Sequence, residues 1–357
     1  MIPACEPYLD GNELKYISDC VNNNWISSKG EYVDKFESGF ARYCGCDYGI
    51  STTSGTAALH LALATLGIGK GDEVIIPTFT MVSTLLSVLY TGATPILIDC
   101  EPDTHNINVD KIEEKISTST RCIMPVHIYG HPCNMDLIIE LSLKYNIPIV
   151  EDAAEAHGAK YRGRRAGGLS DIGCFSFYAN KVITTGEGGM VVTNNKEYAA
   201  RARNLKNLAY VDGIKYWHQE VGFNYRMTNL QAALGLAQLE KIDEYIKKRR
   251  KNASLYNYYL KDVTGVELPV ELPWIKSIYW MYAIKVPCRE FLTAELLGKG
   301  IETRPFFIPM HKQPFFENGG SYPISDEISR SGLCLPSGTG LKEKDIEYIC
   351  NCIKEIL

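Results

Sequence analysis

Short apolar segments alternate with helix-like segments through the first two thirds of this chain, and that alternation limits the fold more than any other feature. Residues 74–77, 95–99, 122–127, 147–152, 174–178 and 190–193 are brief, apolar and rich in Val and Ile, as expected for strands buried on both faces. Between them, residues 56–66, 80–90, 135–145 and 197–205 carry helical patterns. The alternation predicts an α/β fold with a mainly parallel central sheet and helices on both faces. From Asn229 one long helix pattern runs through Gln238, Leu239, Ile242 and Tyr245 into the basic run Lys247-Lys248-Arg249-Arg250-Lys251, which reads as a solvated face. A strand pattern at 282–286, a helix pattern at 289–297 and a terminal helix at 342–356 follow. They suggest a large domain over 1–240, with an N-terminal arm, and a smaller α/β domain over 241–357.

The charge balance is 37 basic against 42 acidic residues, a net of −5 in 357. That argues against a general nucleic-acid grip, which needs a basic face. No apolar run reaches the roughly 20 residues of a membrane span. The N-terminal residues Met1 to Pro7 lack the basic and apolar regions of a secretion signal, so a cytoplasmic protein with no membrane partner is expected. The twelve cysteines form no C-x-x-C pair and several sit in apolar strands, which favours buried free thiols in a reducing compartment. Cys44 and Cys46 lack the partners a closed zinc site needs, so no metal is expected.

In a parallel sheet, ligands gather at the carboxyl ends of the strands. Asp152 lies at one such end, in Ile149-Val150-Glu151-Asp152-Ala153-Ala154-Glu155-Ala156-His157. Lys181 lies just past another, between the apolar run Cys174 to Tyr178 and the glycine-rich Gly186-Glu187-Gly188-Gly189. A lysine able to condense with an aldehyde and an aspartate to hold a pyridinium nitrogen are what pyridoxal 5'-phosphate (PLP) chemistry requires. Glu155 could reach a ring hydroxyl and Ser176 a phosphate. His157 could support Asp152 or simply pack. In Ser54-Gly55-Thr56 a small-residue turn enters a helix, so the N–H groups of Gly55 and Thr56 could face a phosphate. An ordinary N-cap by Ser54 or Thr53 explains the same residues. Gly67-Ile68-Gly69-Lys70-Gly71-Asp72 lacks P-loop order and reads as a turn.

Four segments together resemble the DegT/DnrJ/EryC1/StrS aminotransferases, over essentially the whole chain. They are Ser54-Gly55-Thr56, Glu151 to Gly158, Asn180-Lys181 with Thr184 to Gly189, and Gly222 to Asn229. The resemblance implies a fold type I, aspartate aminotransferase-like PLP transferase acting on a nucleotide-linked keto-sugar. It implies that Lys181 holds PLP covalently, Asp152 binds the ring nitrogen, Glu155 the ring oxygen, and Gly55, Thr56 and Ser176 the phosphate. Asn224 would reach the phosphate of a neighbouring subunit, which makes the expected partner a second copy in a homodimer with shared sites. Met81 stands where relatives often stack an aromatic on the ring; a thioether can pack there too.

Further segments resemble the branch of the family that forms GDP-perosamine. These are Trp25 to Gly30, His127 to Asp136, Tyr216-Trp217-His218, and Glu302 to Phe307 with Pro309 and His311. Trp25, Ser27, His127, Arg226, Arg304 and His311 are then candidates for the substrate end. An exposed Arg304–Glu302 pair is the simpler alternative for Arg304. The implied reaction moves the amino group of glutamate to C4 of a 4-keto-6-deoxy sugar nucleotide, GDP-4-keto-6-deoxymannose in that branch. A UDP- or dTDP-linked sugar is the alternative substrate. A cysteine desulfurase using Cys334 and a non-catalytic regulatory or sensory protein on the same fold are the rivals. A sugar dehydratase is disfavoured because Lys181 is present.

Overall fold

The computed structural model describes residues 1–211, 213–214, 216–316 and 319–357. Among the described residues, seven strands form the central sheet, in the order Tyr48–Thr52, Gly189–Thr193, Ile172–Ser176, Val150–Asp152, Thr120–Ile123, Glu73–Pro77, Thr94–Ile98. Parallel bridges from Ile123 to Ile149 and from Val126 to Asp152 join its two halves. Only Gly189–Thr193 runs antiparallel, paired on one side with Tyr48–Thr52 and on the other with Ile172–Ser176. The sheet is therefore mainly parallel, as the alternation predicts. Several strands are shorter than the apolar runs. The run at 122–127 stops pairing regularly at Ile123, and Ile128–Gly130 makes a 3-10 turn in which Tyr129 has φ 52.

Each sheet face buries its own apolar layer. Helices Gly55–Thr65, Val82–Thr91 and Lys196–Lys206 pack on one side, where Leu59, Val74, Ile76, Val150 and Cys174 meet. Helices Glu31–Cys44 and Asn229–Leu239 contribute Phe36, Phe40 and Ala233 to a second cluster with Phe175 and Phe177. A third gathers Ala253, Tyr256, Tyr282, Ile284, Leu333 and Ile349 around strands Tyr282–Lys285 and Gly332–Leu335. No helix among the described residues is long and apolar enough to cross a membrane.

Two expectations need correction here. The helix pattern from Asn229 is two helices, Asn229–Leu239 and Ile242–Leu260. Lys241, at φ −114 and ψ 3, breaks the spiral, while the Glu240 carboxylate is drawn to Asn12 and Tyr16. Nor is the basic run wholly solvated. Arg249 is 2% exposed, and its guanidinium donates to the carbonyls of Trp280 and Ser337, both at 2.9 Å, and to Thr339 Oγ1 at 3.1 Å. Arginine's rigid fork of donors is what lets such a charge be buried with its bonds made. Arg250 is tied to the Glu271 carboxylate.

Candidate active site

A cavity of about 450 Å³ opens near the sheet's carboxyl ends, within the range of small-molecule sites. Three sheet-end segments meet there. Val150–Asp152 delivers Asp152 and, one turn later, Glu155. Ile172–Ser176 delivers Ser176 and, after a turn, Lys181. Tyr48–Thr52 leads through Ser54 into the Gly55–Thr65 helix.

That helix begins as sequence suggests. Ser54 is the N-cap, its Oγ accepting from the Ala57 N–H at 3.1 Å. The first N–H groups of a helix have no intrahelical acceptor, so Gly55 and Thr56 present donors to the cavity they line. The cap and the anion cradle are therefore compatible. A Cβ on Gly55 would lie 2.7 Å from Ser176 Cβ, so any side chain there would crowd the same corner.

Asp152 is buried. Its Oδ2 accepts from Thr84 Oγ1 at 2.8 Å and its Oδ1 from the Ala154 N–H at 3.2 Å. Burial pushes its carboxyl up, while Thr84, Ala154 and the Lys181 charge pull it back. Glu155 accepts from the Tyr129 N–H at 2.8 Å, and its other oxygen stands 3.8 Å from Lys181 Nζ. Burial raises the Glu155 carboxyl to about 7, against the pull of Lys181. The same burial lowers the Lys181 amine below its ordinary value, with Glu155 and Asp152 opposing the shift. A buried amine whose pKa is pulled down is closer to a working nucleophile or base than a solvated one.

The other candidates divide. Met81 and Arg304 line the cavity, Met81 half exposed at the start of the Val82–Thr91 helix. Arg304 makes no pair with Glu302, whose carboxylate accepts the Ala4 N–H at 2.9 Å; the simpler surface-pair alternative fails. His127 is corrected. It is fully buried, with Nε2 on Glu151 at 2.9 Å and Nδ1 accepting the Cys133 N–H at 3.1 Å, so it has no free nitrogen and does not line the cavity. His311 is corrected likewise. Thr78 Oγ1 and Asp326 Oδ1 occupy its two nitrogens at 2.8 and 3.0 Å, because its 3-10 turn folds back against the Glu73–Pro77 strand end. Trp25 and Ser27 are exposed and outside the cavity; their loop is tied to Asn229 through main-chain carbonyls. Asn224 and Arg226 also lie outside it, bonded to each other at 2.8 Å. His157 packs against Phe40, Phe175 and Phe177, and burial pushes it down to about 3, so it is a neutral packing residue. Cys334 lines the cavity, but burial raises its thiol far above neutrality, the opposite of what a desulfurase nucleophile needs.

Sequence reasoning missed Tyr129, Thr84 and Trp280. Tyr129 offers its N–H to Glu155 only because its backbone takes a left-handed conformation, a strain typical of functional sites. No local pattern marks it.

Residues 7–354 match the DegT/DnrJ/EryC1/StrS aminotransferase family. The chain belongs to that family. Among relatives within it, the chain is 44% identical to a GDP-perosamine synthase of Escherichia coli O157:H7, covering 99% of this chain and 98% of that one. It is 43% identical to a GDP-perosamine synthase of Caulobacter vibrioides over 100% and 98%. Among solved structures, that of S. venezuelae DesV in complex with a ketimine intermediate superposes with a TM-score of 0.93 at 35% identity, covering 96% of this chain and 94% of that one. The aminotransferase fold and the fold type I expectation are thereby established together.

Proposed function

We propose that this family member is a PLP-dependent aminotransferase that moves the amino group of glutamate to C4 of a nucleotide-linked 4-keto-6-deoxy sugar, with GDP-4-keto-6-deoxymannose as acceptor and GDP-perosamine as product. One observation carries the chemistry: a lysine whose side chain is 10% exposed stands 3.8 Å from the Glu155 carboxylate and shares with Asp152 a cavity that a helix N-terminus also lines. Full-length likeness to two GDP-perosamine synthases carries the substrate.

The residues present fit the cofactor. The Gly55–Ser176 corner has room only because Gly55 lacks a side chain, and its N–H groups suit a phosphate. Lys181 would hold the aldehyde carbon, Asp152 the ring nitrogen and Glu155 the ring oxygen, with Met81 against the ring. When bound, PLP supplies the carbonyl that takes up the amino group and a ring that accepts the electron pair. Thr84 and the Ala154 N–H keep Asp152 oriented. Burial excludes water around it, so its charge acts at full strength. Lys181, once free, carries a proton to or from the glutamate Cα and, in the second half, the sugar C4. Arg304 offers a cation to the nucleotide phosphates or sugar.

Overall, glutamate and keto-sugar become 2-oxoglutarate and amino-sugar. The Asn224–Arg226 stretch, with Asn224 exposed, would serve the cavity of a second copy, so the active unit would be a homodimer. The set of Lys181, Asp152, Glu155, Gly55 and Ser176 in one cavity favours catalysis over a regulatory role. A panel of GDP- and UDP-linked 4-keto-6-deoxy sugars with glutamate, read by product mass, tests the reading. Amination of the GDP sugar is expected; preference for a UDP sugar would overturn the substrate, and no amination of any would overturn the chemistry.

A further inference from the structure

Trp280 lines the same cavity as Lys181 and Glu155. It is 5% exposed, and its ring centroid stands 3.7 Å from Lys181 Nζ. Its indole Nε1 donates at 2.8 Å to the carbonyl of Asn180, the peptide immediately before Lys181. The residue is itself held on both sides of the backbone. Its N–H donates to the Tyr129 carbonyl at 3.0 Å, and its carbonyl accepts from the buried Arg249 at 2.9 Å. Arg249, from the Ile242–Leu260 helix, and Tyr129, which also donates to Glu155, thus fix a ring that grips the Asn180–Lys181 step in two places.

An indole face attracts an ammonium and is indifferent to a neutral amine, and among the aromatic side chains it does so most strongly. A ring clamped at this distance therefore favours the charged lysine where burial disfavours it. Other groups act on the same amine. Glu155, Asp152 and Cys5 also favour its charge, and Arg304 opposes it. None of these combines a face over the amine with a hydrogen bond to the peptide that bears it.

We propose that Trp280 is a positioning residue for Lys181: its ring face is the seat of the lysine's free amino group, and its indole N–H fixes the peptide carrying that group. The proposal rests on the reading of Lys181 as the acting amine. During transfer the lysine must be free to move protons, and a seat over the cavity keeps it within reach of the reacting carbon in place of a wider set of rotamers. Arg249 and Tyr129 act through Trp280 and not on the substrate.

The test reads Lys181 itself, without turnover. The full-length chain, free of cofactor, is labelled with acetic anhydride across a pH series, and the Lys181 peptide is quantified by mass. Trp280→Leu should move the labelling midpoint of Lys181 to lower pH by about one unit, a tenfold change in the charged-to-neutral ratio. Trp280→Phe keeps a weaker face and should move it by less than half as much. Trp280→Met replaces the leucine variant should circular dichroism show the latter unfolded. An unmoved or raised midpoint in the leucine or methionine variant overturns the proposal. A phenylalanine shift as large as the leucine shift also overturns it, because the face would then not be the cause. Borohydride reduction with PLP present, followed by peptide mapping, tests the underlying reading separately. An adduct on another lysine would remove Lys181 from the chemistry whatever the midpoints show.

Discussion

Glu151 and Asp152 are neighbours on one strand, both buried, and they face opposite ways into opposite kinds of surroundings. Glu151 is saturated. Its Oε2 takes His127 Nε2 and the Gly167 N–H, and its Oε1 takes the N–H groups of Leu169 and Ser170 and the Ser170 hydroxyl, all between 2.7 and 2.9 Å. Asp152 has two donors, Thr84 and Ala154, and opens on a cavity that holds Lys181. A buried carboxylate with every lone pair engaged stitches loops together. One with acceptor capacity left over, beside a buried amine, is available to a ligand. The same contrast separates two histidines from Arg304: His127 and His311 have both ring nitrogens hydrogen-bonded within the chain, whereas Arg304 lines the cavity.

The most drastic way to break this comparison is at Lys181. Lys181→Ala should lower amino transfer by at least about a thousandfold, the loss expected when both covalent attachment and proton transfer go. The melting temperature should hold, because no structural cage depends on the amine. Retained turnover would place the chemistry elsewhere.

Next come the adjacent acids. Asp152→Asn should cost about two to three orders of magnitude in rate with a milder change in substrate binding and little change in stability. Glu151→Ala should do the reverse. It strands His127 and three N–H groups, at a cost of about 3–5 kcal/mol, with activity per folded molecule near wild type. Urea unfolding and turnover measured on both variants would show whether the two acids part as described. Equal damage to stability in both would erase the distinction.

Arg304→Ala sharpens the comparison at the substrate end. It should raise KM for the sugar nucleotide about tenfold, a typical loss for a charged hydrogen bond, and leave the glutamate half-reaction nearly unchanged. His311→Ala should instead loosen the Met310–Lys312 turn and affect both half-reactions alike. Single-turnover measurements with glutamate alone and with sugar separate the two.

The smallest effect concerns pH. The folded-state carboxyl of Glu155 lies at about 7, above its ordinary 4.5, so between these values the folded chain binds more protons than the unfolded one. Stability of the cofactor-free protein from this group is then fully present below about pH 4.5 and is lost as pH rises through 7. Glu155→Gln should flatten that fall, a change of about 2–4 °C in melting temperature between pH 5 and 8. An identical pH dependence in the variant would mean that Lys181 offsets the shift completely.

Sequence by itself determined the α/β alternation, the strand-end position of Asp152, the lysine after its own strand and a helix start capped by Ser54 or Thr53. Each of these depends on local period, composition and turn chemistry, which neighbours in the chain specify. It could not tell which polar residues keep a free valence. His127 and His311 were as plausible as Arg304 until Glu151, Thr78 and Asp326 came to lie against them from distant segments. Nor could it show that Arg249, within five consecutive basic residues, is buried, or that Trp280 lies over Lys181 from a distant part of the chain. Those are decided by which surfaces meet when sheet, arm and C-terminal segment pack. Hydrogen-bond saturation and ring contact belong to that meeting and leave no periodic trace in the order of the residues.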